Sequence, residues 1–151
     1  MSGEATFNAS GFLILPAGTS YSAWIAGSPA VGAQNRFGDD ADGDQLPNGV
    51  EAFFGTDPGA WNAGLAEVAT NGAVTTFTHP QAATQINDAS ASYQWSLDLK
   101  NWYAGDGVSG PPGGPTVNIP PVTPVAGTAT VTATASAPVG KLFVRVLVIN
   151  N

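Results

Sequence analysis

The sequence predicts a mostly β protein: a β-sandwich, Ig-like or similar, preceded by a short helix–loop–helix segment. Three observations carry this. From Gly72 onward the apolar residues recur with period two in runs of five to eight, the spacing of strands with one buried face. The 19 glycines and 12 prolines cut the chain into short elements, and 10% charged against 43% hydrophobic residues suits turns and strands rather than long helices or disorder. Before the strands, five of the chain's 11 acids (Asp39, Asp40, Asp42, Asp44, Glu51) crowd into thirteen positions, where even spreading would place about one. At 151 residues the chain suits one domain with an appendage. The expected division is an N-terminal strand or arm over 1–18, a helical cation-binding segment over 19–60 and the sandwich over 61–151.

Residues 4–15 hold an apolar run stopped by Pro16 and Gly18. Such a segment pairs with a sheet edge in its own molecule or, by strand addition, in a neighbour. Thr19 or Ser20 is placed to cap a short helix bearing Tyr21, Trp24 and Ile25 on one face, with Gly27 and Pro29 ending it. A second short helix is expected over 48–54, packing through Phe53 and Phe54 and stopped by Gly55.

Between these helices, positions 40–51 place oxygen-bearing groups at the first, third, fifth, seventh, ninth and twelfth places: Asp40, Asp42, Asp44, the Leu46 carbonyl, Asn48 and Glu51. That spacing wraps a chain round one hard cation, with Glu51 able to offer both oxygens. Two carboxylates about 4 Å apart repel by roughly 4 kcal/mol at an effective dielectric near 20, so four converging without a counter-ion would be strained. Calcium is favoured over magnesium, which keeps more of its water, and over zinc, because the loop has no Cys or His. The sixth place, where the chain turns with positive φ and glycine is usual, is Gln45, at a cost of about 1 kcal/mol. The plainer alternative is a solvated acidic turn whose carboxylates point apart.

Strands are expected over 73–78, 93–97, 129–134 and 142–149. The last run is apolar on both faces apart from Arg145, which predicts a central or doubly covered strand; the Ala/Thr run at 129–134 reads as a thinly packed edge. Residues 110–124, rich in proline, read as a surface strap.

Several of these pieces, in this order, resemble a module near the C-terminal ends of large secreted proteins of environmental bacteria. They are Tyr21-Ser-Ala-Trp24, the acidic loop running into Glu51-Ala-Phe-Phe-Gly55-Thr-Asp-Pro58, Tyr93-Gln-Trp-Ser96-Leu-Asp98-Leu99-Lys-Asn-Trp102, and Phe143-Val-Arg145-Val. The loop by itself resembles thrombospondin type 3 and EF-hand-like calcium loops. The resemblance implies a β-sandwich joined to a calcium-binding helical segment, non-catalytic and used in attachment or assembly at the cell surface.

Net charge of −7 with four basic residues disfavours nucleic acid and anionic membranes as partners. The chain has no cysteine, so disulfide and thiol chemistry are excluded. Weak calcium sites fill outside cells, where the ion is millimolar, which makes a secreted, extracellular or cell-surface home the expectation. His79, the one histidine, is followed by Pro80 and reads as a surface-turn residue rather than a base; neither a nucleophile elbow nor a phosphate loop is seen, and no enzyme is expected. The expected function is a non-catalytic, calcium-binding structural module for cell-surface adhesion or assembly, with a fibre subunit polymerising by strand exchange as its sharpest form. Its expected partners are calcium and copies of itself. The alternative is a carbohydrate-binding module that holds cell-surface polysaccharide on the flat rings of Trp102 and Tyr103.

Overall fold

A computed structural model describes residues 18–151 together with the short strands β1 (Thr6–Phe7) and β2 (Leu13–Ile14), which pair antiparallel with each other. The rest of the expected N-terminal arm lies outside the described residues.

The helical segment forms where its caps predict. Ser20 Oγ accepts from Ala23 N at 3.3 Å and starts α1 (Tyr21–Ile25), while α2 (Asn48–Phe54) ends at Gly55, whose φ of 79° is the left-handed turn that glycine adopts without strain. Neither helix is long enough to stand alone, so packing must hold them. Tyr21, Ile25, Val31, Ala52 and Ile86 are buried as one cluster, with Trp24 and Phe37 against it. Gly49 in α2 lies directly under the Phe37 ring, and a Cβ there would collide with it.

The body is mostly β, in two antiparallel sheets. One has the order β3 (Glu67–Asn71), β4 (Val74–Pro80), β8 (Thr128–Ala135), β7 (Val117–Asn118); the other is β6 (Tyr103–Ala104), β5 (Ala89–Ser96), β9 (Phe143–Asn150). The sheets face one another across Trp95, Val117, Ala133 and Ala135 in a sandwich-like arrangement. On one side they are stitched together: Asp106 bridges Asn118, Gly107 N donates to Val117 O and Ile119 N to Gly105 O. On the other side, among the described residues, β3 and β9 end their sheets unjoined.

Two strand expectations are corrected. The Ala/Thr strand β8 is not an edge. It sits between β4 and β7, with Ala129, Val131 and Ala133 wholly buried, because its small side chains leave room for the Trp95 indole, itself 0% exposed and donating through Nε1 to Ala104 O. β9 is not central. Among the described residues it is the last strand of its sheet and pairs with β5 alone, and its side chains are half-buried or exposed. The proline-rich strap contributes β7, whose Val117 enters the core.

The helical segment docks onto this body through aromatic rings. Phe54 stacks on His79 of β4 with centroids 4.9 Å apart; Phe53, Phe77 and Tyr93 surround the same imidazole. His79 is therefore not a surface-turn residue: it is 1% exposed, in a strand. The Pro80 carbonyl, 2.7 Å from Nδ1, can only accept, so Nδ1 carries the proton and Nε2 accepts from the Tyr93 hydroxyl at 2.9 Å. Burial holds the imidazole below its ordinary pKa and pushes Tyr93 up to about 12. Among the described residues no helix is long and apolar enough to cross a membrane.

Candidate metal centre

The acidic loop is closed at its base before any carboxylate is considered. Asn48 N donates to Asp39 O at 2.8 Å and Gly49 N to Phe37 O at 2.9 Å, so the start of α2 is tied to the chain entering the loop. Asp39 caps the preceding turn by accepting from Arg36 N. The Asn48 amide nitrogen reaches back to the carbonyls of Gln34 and Arg36.

Within the loop, each aspartate folds the backbone round its own side chain. Asp40 accepts from Gly43 N and Gln45 N at 2.8 and 2.9 Å, Asp42 from Asp44 N at 3.1 Å, and Asp44 from Leu46 N at 2.8 Å. Gln45 takes φ of 74° at the sixth place, the left-handed turn the spacing requires and a side chain resists. These turns bring one carboxylate oxygen each from Asp40, Asp42 and Asp44 within 4.8 Å of one another, an acidic triad able to hold a metal ion.

Glu51 joins them from the first turn of α2. It is 0% exposed, and its pKa is pushed up to about 7, first by burial and then by the charges of Asp42, Asp44 and Asp40. Asp42 is also raised, by burial first and against the help of its hydrogen bond from Asp44 N, with the Asp44 and Asp40 charges adding to the rise. Three side-chain oxygens here are buried with no hydrogen-bond partner: Asp42 Oδ2, Asn48 Oδ1 and Glu51 Oε2. An unpartnered buried oxygen costs about 1–3 kcal/mol, more if charged, so three in one loop point to a ligand. All the donors are oxygens, which suits a hard cation.

Of the six expected ligands, the structure thus gathers Asp40, Asp42 and Asp44, sets Glu51 against them and leaves Asn48 with a buried free oxygen. Leu46 follows, half-buried, between the acidic turns and α2. Two residues were missed. Asn62 donates from its backbone to Asp44 Oδ2 at 2.9 Å and from its amide to Glu51 Oε1 at 3.3 Å, and Thr56 Oγ1 donates to the same Glu51 oxygen at 3.3 Å. Both lie beyond the twelve-residue pattern, and nothing in the sequence around Asn62 distinguishes it from an ordinary turn asparagine.

The candidate stacking pair is split. Arg145 lies over one face of Trp102, its guanidinium carbon 4.1 Å from the ring centroid, and is held there by two bonds to Gln94 Oε1. Tyr103 packs against Trp95 at 5.1 Å in the sandwich interior. The two rings do not form a shared platform. No family model, curated protein or solved structure matches this chain.

Proposed function

We propose that the protein is a non-catalytic, calcium-braced structural module of the extracellular surface, with an Ig-like β-sandwich as its body, working in adhesion or assembly. The observation that carries the metal reading is the set of buried oxygens without partners, on Asp42, Asn48 and Glu51, beside the Asp40–Asp42–Asp44 triad. A calcium ion held by these side chains and the Leu46 carbonyl would satisfy them and cancel the repulsion that raises Glu51 and Asp42.

The structural role follows from what the loop joins. Glu51 sits on the same seven-residue helix as Phe53 and Phe54, which pack on β4, and Asn62 leads from the loop towards β3. An ion fixed at Glu51 and Asp44 would hold α2 at one angle to the sandwich, a task these short helices cannot perform unaided. The extracellular setting and the surface role rest on millimolar calcium outside cells and on the residue patterns that resemble secreted bacterial modules.

The test is melting of metal-stripped protein with and without calcium. Binding to the folded state alone, at a hundredfold excess over Kd, adds about 2.7 kcal/mol, or roughly 5–10 °C for a domain of this size. No shift would remove the metal from the account.

A further inference from the structure

A groove of about 710 Å³ runs along the side of the sandwich that is not stitched shut. One wall is β9, through Phe143, Val144 and Val146; the other is the β3–β4 ribbon, through Val68 and Phe77. Val68 is 70% exposed, so that wall is uncovered. β9 and β3 each end a sheet, and along their outer edges the backbone donors and acceptors meet no other strand among the described residues. The lining is mainly apolar, and its one cation, Arg145, is held over Trp102 by Gln94. Phe54 of α2, Leu46 and the chain at 62–66 also line it, so the open slot is the stretch beside Phe143–Val146.

We propose that this groove accepts residues 5–15 of a second copy of the chain, laid in as an added strand along β9. The proposal rests on the structural-module reading above and names how copies would join. Residues 5–15 carry the pattern of an added strand: Ala5, Phe7, Ala9, Gly11, Leu13 and Leu15 alternate with Thr6, Asn8 and Ser10. Such a strand has one apolar face along its whole length. At its C-terminal end Phe12 and Ile14 make the second face apolar too, which suits a strand sunk between two walls. Eleven residues at about 3.3 Å each span about 36 Å, more than the lined stretch of β9 from Phe143 to Val146 requires. Glu4 is the one charged side chain in the first 18 residues of a chain with net charge −7, so this segment approaches an acidic copy with little repulsion.

The chain's own groove is a poorer destination. Gly18 and Thr19 are held by Asn87, whose amide donates to Gly18 O and whose backbone donates to Thr19 O at 3.1 Å. Asn151 N bonds the adjacent Asp88, so this anchor lies at the Asn150 end of β9, away from the lined end at Phe143. A segment leaving from there along its own β9 would run parallel to it, whereas every strand pair among the described residues is antiparallel and parallel pairing is the weaker of the two. Within one chain, Thr6–Phe7 pairs instead with Leu13–Ile14, a two-by-two contact too small to be stable by itself and readily given up for a longer ladder. The donor arm and the acceptor groove are different elements, so each copy can give its arm to one neighbour and take the arm of another, a head-to-tail contact able to propagate.

The absence of native cysteine makes cross-linking a clean test. Full-length L13C and V68C chains are mixed in calcium and treated with a short bismaleimide; L13C mixed with V108C is the control, since Val108 is 80% exposed and lies off the groove. The expected result is a cross-linked dimer from the Val68 mixture well above the control, and a ladder of multimers from the L13C/V68C double variant. A double variant that cross-links only within one chain, or equal yields at Val68 and Val108, overturns the proposal. Sedimentation separates it from the metal reading. Leu13→Asp should abolish the high-mass species while leaving the calcium-dependent melting shift intact. A chain that stays monomeric at high concentration, yet melts higher in calcium, sinks the docking and spares the metal. Assembly that persists in EDTA without any calcium response sinks the metal and spares the docking.

Discussion

Two acidic turns in this molecule are built by the same device and end in opposite electrostatic states. At the turn after β5, Asp98 accepts from Lys100 N, Asn101 N, the Asn101 amide and Ser96 Oγ, all at 2.8–3.0 Å. Those bonds, the backbone donors of Asn101 and Lys100 foremost, hold its carboxyl well below the ordinary range. In the loop before α2, Asp40, Asp42 and Asp44 also collect backbone donors, yet Asp42 and the neighbouring Glu51 are pushed upward and keep buried oxygens with nothing to bond. The lesson is that a carboxylate turn is complete when its donors outnumber its oxygens' needs. The Asp98 turn is self-sufficient; the loop at 40–51 is finished only by something positive.

The comparison breaks most sharply by removing a carboxylate from each turn. Asp42→Ala should imitate a chelator, erasing the calcium-dependent rise in melting temperature worth about 2.7 kcal/mol at a hundredfold excess over Kd. Asp98→Ala should lower melting equally with calcium and with EDTA, and differential scanning under both conditions reads the two outcomes.

Acid titration sharpens the contrast. Glu51 has a folded value of about 7 against an ordinary 4.5. Without metal, its contribution to stability is therefore fully present below about pH 4.5 and is lost as pH rises through about 7. Calcium requires the carboxylate, so its stabilisation grows over the same interval. Melting curves in EDTA and in calcium should thus separate progressively from pH 5 to pH 7.5. Asp98 and Asp106, with depressed values, stabilise above the ordinary range and lose that contribution only in strong acid; buried His79 adds stability that is lost as pH falls below its ordinary value. Those groups act alike with and without metal, so the difference between the two curves isolates the loop.

Smaller effects follow. Asn62→Ala removes the donor to Glu51 Oε1, should cost about 1 kcal/mol and should weaken calcium binding measurably by calorimetry. Gln45→Gly relieves the positive φ at the sixth place and should raise calcium-loaded stability by up to about 1 kcal/mol, checked by denaturant midpoint.

What the sequence revealed was whatever depends on local spacing. The Asp40–Asp42–Asp44 triad, the Ser20 cap, the Gly55 stop and the strand that carries Trp95 are all set within a few residues of one another. What it hid depends on partners far along the chain. The small residues of β8 resembled a thin edge because the indole that fills the space above them comes from β5. The apolar faces of β9 implied a central strand, whereas one side of that strand borders an open groove. His79 beside a proline resembled a turn residue because the rings that bury it arrive from α2 and β5. Asn62 carries no pattern of its own and matters only because the fold brings it to Asp44 and Glu51.

The central claim is tested most directly by isothermal titration of calcium into metal-stripped protein at neutral pH. The account expects one saturable site per chain, abolished in Asp42→Ala and retained in Asp98→Ala. Absence of binding heat at millimolar calcium, with melting indifferent to EDTA, would contradict it.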